Sequence, residues 1–129
     1  MIPGRKSNHP SFRRSFLFAL QGFRTAFSLE RNIKVMLAGG LVAVIAGFAL
    51  RLDPVSWGVI FLCCGSVLSM ELINTAIETV VDLVSPEFHP LAGRAKDIAA
   101  AASWVLCILV AGAGLVIYGY ALFRLLGLA

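Results

Sequence analysis

Three runs without a charged side chain, residues 35–50, 55–70 and 98–123, constrain this chain more than any other feature of its sequence. Extended by neighbouring turns, each suits a helix of the roughly 20 residues needed to cross a ~30 Å hydrocarbon core. A chain of 129 residues is short enough for one soluble domain. Soluble helices, however, carry apolar stripes and soluble strands alternate, and neither pattern describes these runs. With 59% of residues apolar and 14% charged, the composition also lies outside that of soluble domains. The expectation is an all-α membrane protein forming one compact domain over residues 1–129.

Ile33 extends the first run into a helix over 33–50. Arg51 to Pro54 then forms a turn, because a residue before proline avoids helical backbone and proline suits a helix start. The second run keeps helical spacing past Met70, which predicts a helix over 55–84 ended by Ser85-Pro86. A third helix over 91–123 opens with polar turns and holds the longest run. Upstream, Phe12, Phe16, Ala19, Phe23 and Phe27 share one arc of a helical wheel, with Arg14, Gln21 and Thr25 opposite. That pattern predicts an amphipathic helix over 12–30 lying on the membrane surface, flanked by the basic Arg13 and Arg24.

Arg5, Lys6, Arg13, Arg14, Arg24, Arg31 and Lys34 precede the first span, and Arg94 and Lys96 precede the third. Only Arg51 and Arg124 fall on the other side. The positive-inside rule therefore puts the N-terminal helix and the loop from Asp82 to Asp97 in the cytoplasm, with the chain multi-pass in the cytoplasmic membrane. The net charge of +4 is read as topology and not as a nucleic-acid footprint. The first ten residues are polar and proline-bearing, without an apolar stretch leading to a small-residue cleavage site, and predict no cleaved signal peptide. Cys63, Cys64 and Cys107 fall inside spans without zinc or disulfide spacing and read as packing residues. Gly39, Gly40, Gly112 and Gly114, with the alanines from Ala99 to Ala102, read as places of close helix approach.

Glu71, Asn74, Glu78 and Asp82 recur at i, i+3, i+7 and i+11, which sets them on one side of one helix. An acidic residue at mid-membrane costs about 2.5–3.5 kcal/mol, so a stripe of them requires partners, metal or water. On one reading the helix emerges into the cytoplasm near Glu71 and the stripe is solvated or paired with Arg94 and Lys96. On the other, the carboxylates hold Mg2+, which usually takes one or two protein carboxylates and completes its shell with water and phosphate. The second reading describes a kinase site. Glu30, between the surface helix and the first span, lies at the cytoplasmic level of Glu78 and suits a second metal ligand, or is a surface carboxylate beside Arg31. Walker A spacing and protein-kinase signatures are absent. Phosphate contacts then fall to Lys96 and Arg94, with Asp97 orienting Lys96 or reaching the nucleotide, unless these charges serve topology alone. His89 is either a nucleotide contact or a plain surface residue.

The stretch Glu71-Leu72-Ile73-Asn74-Thr75-Ala76-Ile77-Glu78, then Val81-Asp82, then Gly93-Arg94-Ala95-Lys96-Asp97, resembles the signature of the prokaryotic diacylglycerol kinase family, as does Gly22 to Glu30 upstream. The resemblance runs from about Phe16 to Ala102. It implies a bacterial inner-membrane lipid kinase with three transmembrane helices and an N-terminal surface helix, assembled as a homotrimer with active sites between neighbouring subunits. By motif position it implies that Glu71 is the general base for the lipid hydroxyl. It makes Glu30 and Glu78 the carboxylates that hold Mg2+ with ATP, supported by Asn74, Asp82 and Arg94. Glu87, His89, Lys96 and Asp97 fall at nucleotide-contacting positions. The implied reaction is in-line transfer of the γ-phosphoryl group of ATP to a primary hydroxyl. Two positions depart from the enterobacterial pattern: Ser11 stands where a nucleotide-contacting arginine is expected, and Phe18 lacks the hydroxyl of the aromatic contact. Arg13 or Arg14 would substitute for the arginine. Leu29-Glu30-Arg31-Asn32, Asn74-Thr75 and His89-Pro90-Leu91-Ala92 look more like the undecaprenol kinase branch, which favours undecaprenol over diacylglycerol as acceptor. An ion- or proton-conducting oligomer is the alternative of another class; it accounts for Glu71 but not for the acids that continue its face to a basic loop.

Overall fold

The computed structural model describes residues 11–128. Arg5, Lys6 and the expectation about a signal peptide lie outside the described residues. The chain folds into four helices, α1 (Phe12–Leu29), α2 (Arg31–Ala49), α3 (Pro54–Val84) and α4 (Pro90–Leu125), with no strand among the described residues. The last three are long and apolar enough to cross a membrane. α3 is the central element and touches each of the other helices, most extensively α4 and then α2.

The connections are short and chemically specified. Glu30 alone separates α1 from α2, with extended backbone (φ −101°, ψ 122°), so α2 begins two residues before Ile33. Between α2 and α3 the Arg51 N–H donates to the Phe48 carbonyl at 3.2 Å, and the Leu52 N–H to the Gly47 carbonyl at 3.1 Å. These bonds form a Schellman ending with Arg51 at φ 52°, a left-handed position that glycine usually fills. The Arg124 guanidinium donates to the Arg51 carbonyl at 2.6 Å and ties the end of α4 to this turn. Asp53 caps α3, accepting from the Val55 and Ser56 N–H groups at 3.0 and 3.1 Å, ahead of Pro54 at the first helical position. The Ser56 hydroxyl, followed by the Ser56 N–H, holds the Asp53 carboxyl below its ordinary value.

Packing concentrates at this end of the bundle. Leu52, Ile60 and Ala121 are buried together, flanked by Ala43, Trp57, Cys64, Ile117 and Tyr118. The Tyr118 hydroxyl donates to the Ala43 carbonyl at 2.7 Å and links α4 to α2. Gly47 is the glycine this packing requires: a Cβ there would lie 2.8 Å from the Trp57 ring and 3.1 Å from Leu52. The glycines expected to permit close approach behave differently. A Cβ on Gly39 or Gly112 would meet open space, one on Gly114 only its own helix's Tyr118, and Gly40 has the Cys64 sulfur at 3.8 Å. Periodicity does not show which face of a glycine meets a neighbour.

α1 packs against α3 through the buried Ala26 and through Ala19, Gly22, Phe23 and Leu29, across an apolar groove of about 480 Å³ that Leu72 and Ala76 complete. Phe12, Phe16 and Phe27 stay exposed. The arc expected from spacing and the packed face therefore share only Ala19 and Phe23. Most large apolar side chains of the spans, among them Leu41, Ile45, Phe61, Leu62, Leu109 and Leu115, are likewise exposed, as suits helices whose solvent is hydrocarbon.

Candidate active site

The polar residues of α3 and α4 meet along the seam opposite the packed end. Glu71 and Asn74 are buried, at 3% and 8% exposure, and Glu78 is half-buried. Helical spacing sends all three to the same side of α3, where they line a cavity of about 210 Å³ with Asn32 and Met36 of α2 and Ala100, Ser103, Trp104 and Cys107 of α4. A second cavity of about 220 Å³ continues the seam toward the α3–α4 turn, lined by Asp82, Ser85, Glu87, His89, Gly93 and Lys96, among others. The larger groove beside α1 contains none of these acids.

Each acid of the stripe has its own partner. The Asn32 amide donates to Glu71 Oε1 at 2.9 Å, a bond to a charged group of the kind worth about 1.5–3 kcal/mol. The Asn74 amide donates to Glu78 Oε1 at 3.1 Å. Lys96 Nζ meets Asp82 Oδ1 at 2.6 Å. That bond, with Glu78 adding its charge, raises the Lys96 ammonium above its ordinary value and keeps it protonated. The stripe is thus neither simply solvated nor paired throughout with bases. Among the described residues two buried side-chain polar atoms are left without a hydrogen bond: Asn74 Oδ1 and Ser103 Oγ.

The loop residues are placed by local bonds. His89 caps α4 before Pro90, its Nδ1 accepting from the Leu91 N–H at 3.2 Å, which leaves Nε2 as the ring's donor. The Ser85 hydroxyl donates to the Glu87 carbonyl at 3.1 Å. Glu87, His89 and Lys96 therefore share one cavity with Asp82, and Glu71, Asn74 and Glu78 share the other. Glu30 lines neither; it sits at the α1–α2 junction, two residues before the Asn32 that reaches Glu71. Arg94 and Asp97 are exposed and line neither cavity. Of the two carboxylates expected near Lys96, it is Asp82, two residues before the end of α3, and not Asp97 that holds the ammonium. Ser11 lies just before α1 and Phe18 is exposed on it, without a described polar contact.

Asn32 and Ser103 were not singled out by sequence reasoning. An amide in the first turn of a span and a hydroxyl in an alanine run carry no periodic signal, because their partners lie on other helices. Among the described residues no three His, Cys, Asp or Glu side chains converge to hold a metal by themselves.

Residues 17–118 match the family model described as prokaryotic diacylglycerol kinase. The chain is 40% identical over 107 residues to an undecaprenol kinase of Bacillus subtilis, spanning 83% of this chain and 87% of that protein. It is 30% identical over 104 residues to a diacylglycerol kinase of Helicobacter pylori, spanning 81% of each. A diacylglycerol kinase of Escherichia coli is 33% identical over 91 residues, spanning 70% of this chain and 75% of that one. The family and these relatives are lipid kinases by description, which favours a kinase over the ion-conducting alternative. With its three apolar helices and the acid stripe between them, the chain belongs to the prokaryotic diacylglycerol kinase family and is a membrane lipid kinase.

Proposed function

We propose that the protein transfers the γ-phosphoryl group of ATP to the primary hydroxyl of a membrane lipid, with undecaprenol as the favoured acceptor and diacylglycerol as the second. The observation that carries this reading is the succession along one seam of a buried carboxylate (Glu71), a half-buried carboxylate (Glu78) and a Lys96–Asp82 pair. Glu71, partnered by Asn32 and shut from bulk water, accepts the proton of the lipid hydroxyl. Lys96 offers fixed positive charge to phosphate oxygens, and the His89 donor and Glu87 flank the same cavity for the rest of the nucleotide. Arg94 and Asp97, exposed beside that cavity, contribute from its rim.

Glu78 and Glu30 would hold Mg2+, with Glu30 reaching in from the α1–α2 junction outside the cavity. At the cavity itself the hard oxygens that suit the ion are those of Glu78, which accepts from the Asn74 amide, and the buried Asn74 Oδ1, which has no hydrogen-bond partner. When bound, the ion would supply positive charge that neutralises phosphate oxygens. Undecaprenol is favoured by the higher identity to the undecaprenol kinase.

The loop joining α3 to α4 and the Asp82 to Asp97 region face the cytoplasm of a bacterial inner membrane, with α1 resting on that surface through Phe12, Phe16 and Phe27. One chain buries few of its apolar residues and is small for enclosing both nucleotide and lipid. A homotrimer completes the site; full activity of a species of monomeric mass in mild detergent would refute that assembly.

The test is ATP-dependent phosphate transfer by purified protein in micelles or vesicles, with undecaprenol and diacylglycerol offered separately. The expected result is Mg-dependent transfer, faster to undecaprenol, that falls at least ~100-fold in Glu71→Gln. No transfer to any lipid alcohol would refute the reading.

A further inference from the structure

Ser103 is the one hydroxyl among the described residues that is buried without a hydrogen bond. Several helical hydroxyls in this protein turn back on their own helix: Thr25, Thr75 and Thr79 donate to carbonyls four residues earlier at 3.0, 3.0 and 2.8 Å. Ser103 has the same option and does not take it. Its side chain lines the cavity that also holds Glu71, Asn74 and Glu78. Its height matches the base: Glu71 lies thirteen residues before the end of α3 at Val84, and Ser103 thirteen residues after the start of α4 at Pro90. In an antiparallel pair both are then about 20 Å from the connecting turn. A buried polar atom without a partner is costly to keep unless something else satisfies it.

We propose that Ser103 binds the acceptor alcohol, donating its O–H to the alcohol oxygen opposite Glu71; this rests on the lipid-kinase reading above. The alcohol oxygen has two lone pairs and one proton. One lone pair accepts from Ser103, the proton passes to the Glu71 carboxylate, and the second lone pair forms the new bond to phosphorus. The bond from the γ-phosphorus to the β–γ bridging oxygen breaks, and ADP leaves with that electron pair. Ser103 thus orients the nucleophile without exchanging a proton of its own. Neutral alcohols of both lipid classes supply this oxygen, so the contact serves acceptor binding and leaves selection between chains to the apolar surroundings.

The experiment compares the full-length protein with Ser103→Ala and Ser103→Thr in micelles, measuring KM for undecaprenol, KM for ATP and kcat, with Glu71→Gln as control. Ser103→Ala is expected to raise KM for the lipid about 3- to 10-fold, as loss of one neutral hydrogen bond does, while KM for ATP stays unchanged. Ser103→Thr, which restores a hydroxyl, should return the lipid KM toward the original. An unchanged lipid KM in Ser103→Ala, or a parallel rise for lipid and ATP, overturns the proposal while leaving the kinase reading standing. Absence of transfer by the original protein removes the kinase reading and this inference with it, whereas a fully active Glu71→Gln removes Glu71 as the base, and with it the placement of the alcohol opposite Ser103, while the kinase reading stands.

Discussion

The N-terminal half of α3 sends Trp57, Ile60 and Cys64 into a packed cluster with α2 and α4, whereas its C-terminal half presents Glu71, Asn74 and Glu78 to a cavity. In the first region the hydroxyl of Tyr118 reaches the Ala43 carbonyl, the capping carboxylate of Asp53 is bonded three times, and Gly47 admits the Trp57 ring at less than ordinary Cβ distance. In the second, Asn74 Oδ1 and Ser103 Oγ have no partner and each acid relies on a single amide or ammonium. Stability and chemistry are therefore divided along one helix. Satisfied packing holds α2, α3 and α4 in register at one end and leaves polar groups at the other without partners, as the proposed function requires of groups that receive ligands.

Substitutions can break or sharpen this division. After loss of the base itself, the largest effect is expected from Asn32→Ala, which removes the one side chain of another helix that bonds Glu71 among the described residues: kcat should fall about 10- to 100-fold, in line with a loss of about 1.5–3 kcal/mol of orientation. Steady-state kinetics with lipid in excess would show it, and an unchanged kcat would mean that Glu71 needs no support from α2. Next comes Gly47→Ala at the packed end. Its Cβ would displace Trp57 or Leu52 and should cost about 1–3 kcal/mol of stability, seen as a lower unfolding midpoint in detergent, while kcat at permissive temperature stays as it was. A matching loss of kcat would show that the two ends are coupled. Tyr118→Phe should cost about 1 kcal/mol by the same measurement and leave both KM values untouched.

Much of this division is legible in the amino-acid order. The uncharged runs place the spans because hydrocarbon admits little else, and Asp53-Pro54 and Ser85-Pro86 mark turns by their backbone chemistry alone. The spacing of Glu71, Asn74 and Glu78 sets them on one side because a single helix carries all three. What could not be read is whatever depends on register between helices. The Asn32–Glu71 bond joins residues 39 apart, Lys96 takes Asp82 instead of its neighbour Asp97, and Gly47 rather than Gly39 or Gly112 meets a side chain. Ser103 is hidden for a related reason. A hydroxyl within a span is ordinary when it bonds its own helix or is not fully buried, and only the fold reveals that this one is buried without a bond.

The length of α3 has a consequence for where in the bilayer the chemistry takes place. Its 31 residues extend about 46 Å at 1.5 Å per residue, well beyond a ~30 Å hydrocarbon layer. Standing upright with Pro54 at the far boundary, the helix leaves hydrocarbon after about twenty residues, close to Ile73. The helix is then a ruler. On the proposed function it would hold Glu71 just inside the apolar layer, near the depth of a lipid's terminal hydroxyl, and carry Glu78 and Asp82 out toward the headgroups, where a nucleotide would reach them. Membrane thickness becomes a parameter of the reaction, since a thicker layer would submerge the acids and a thinner one would lift the base away from its substrate.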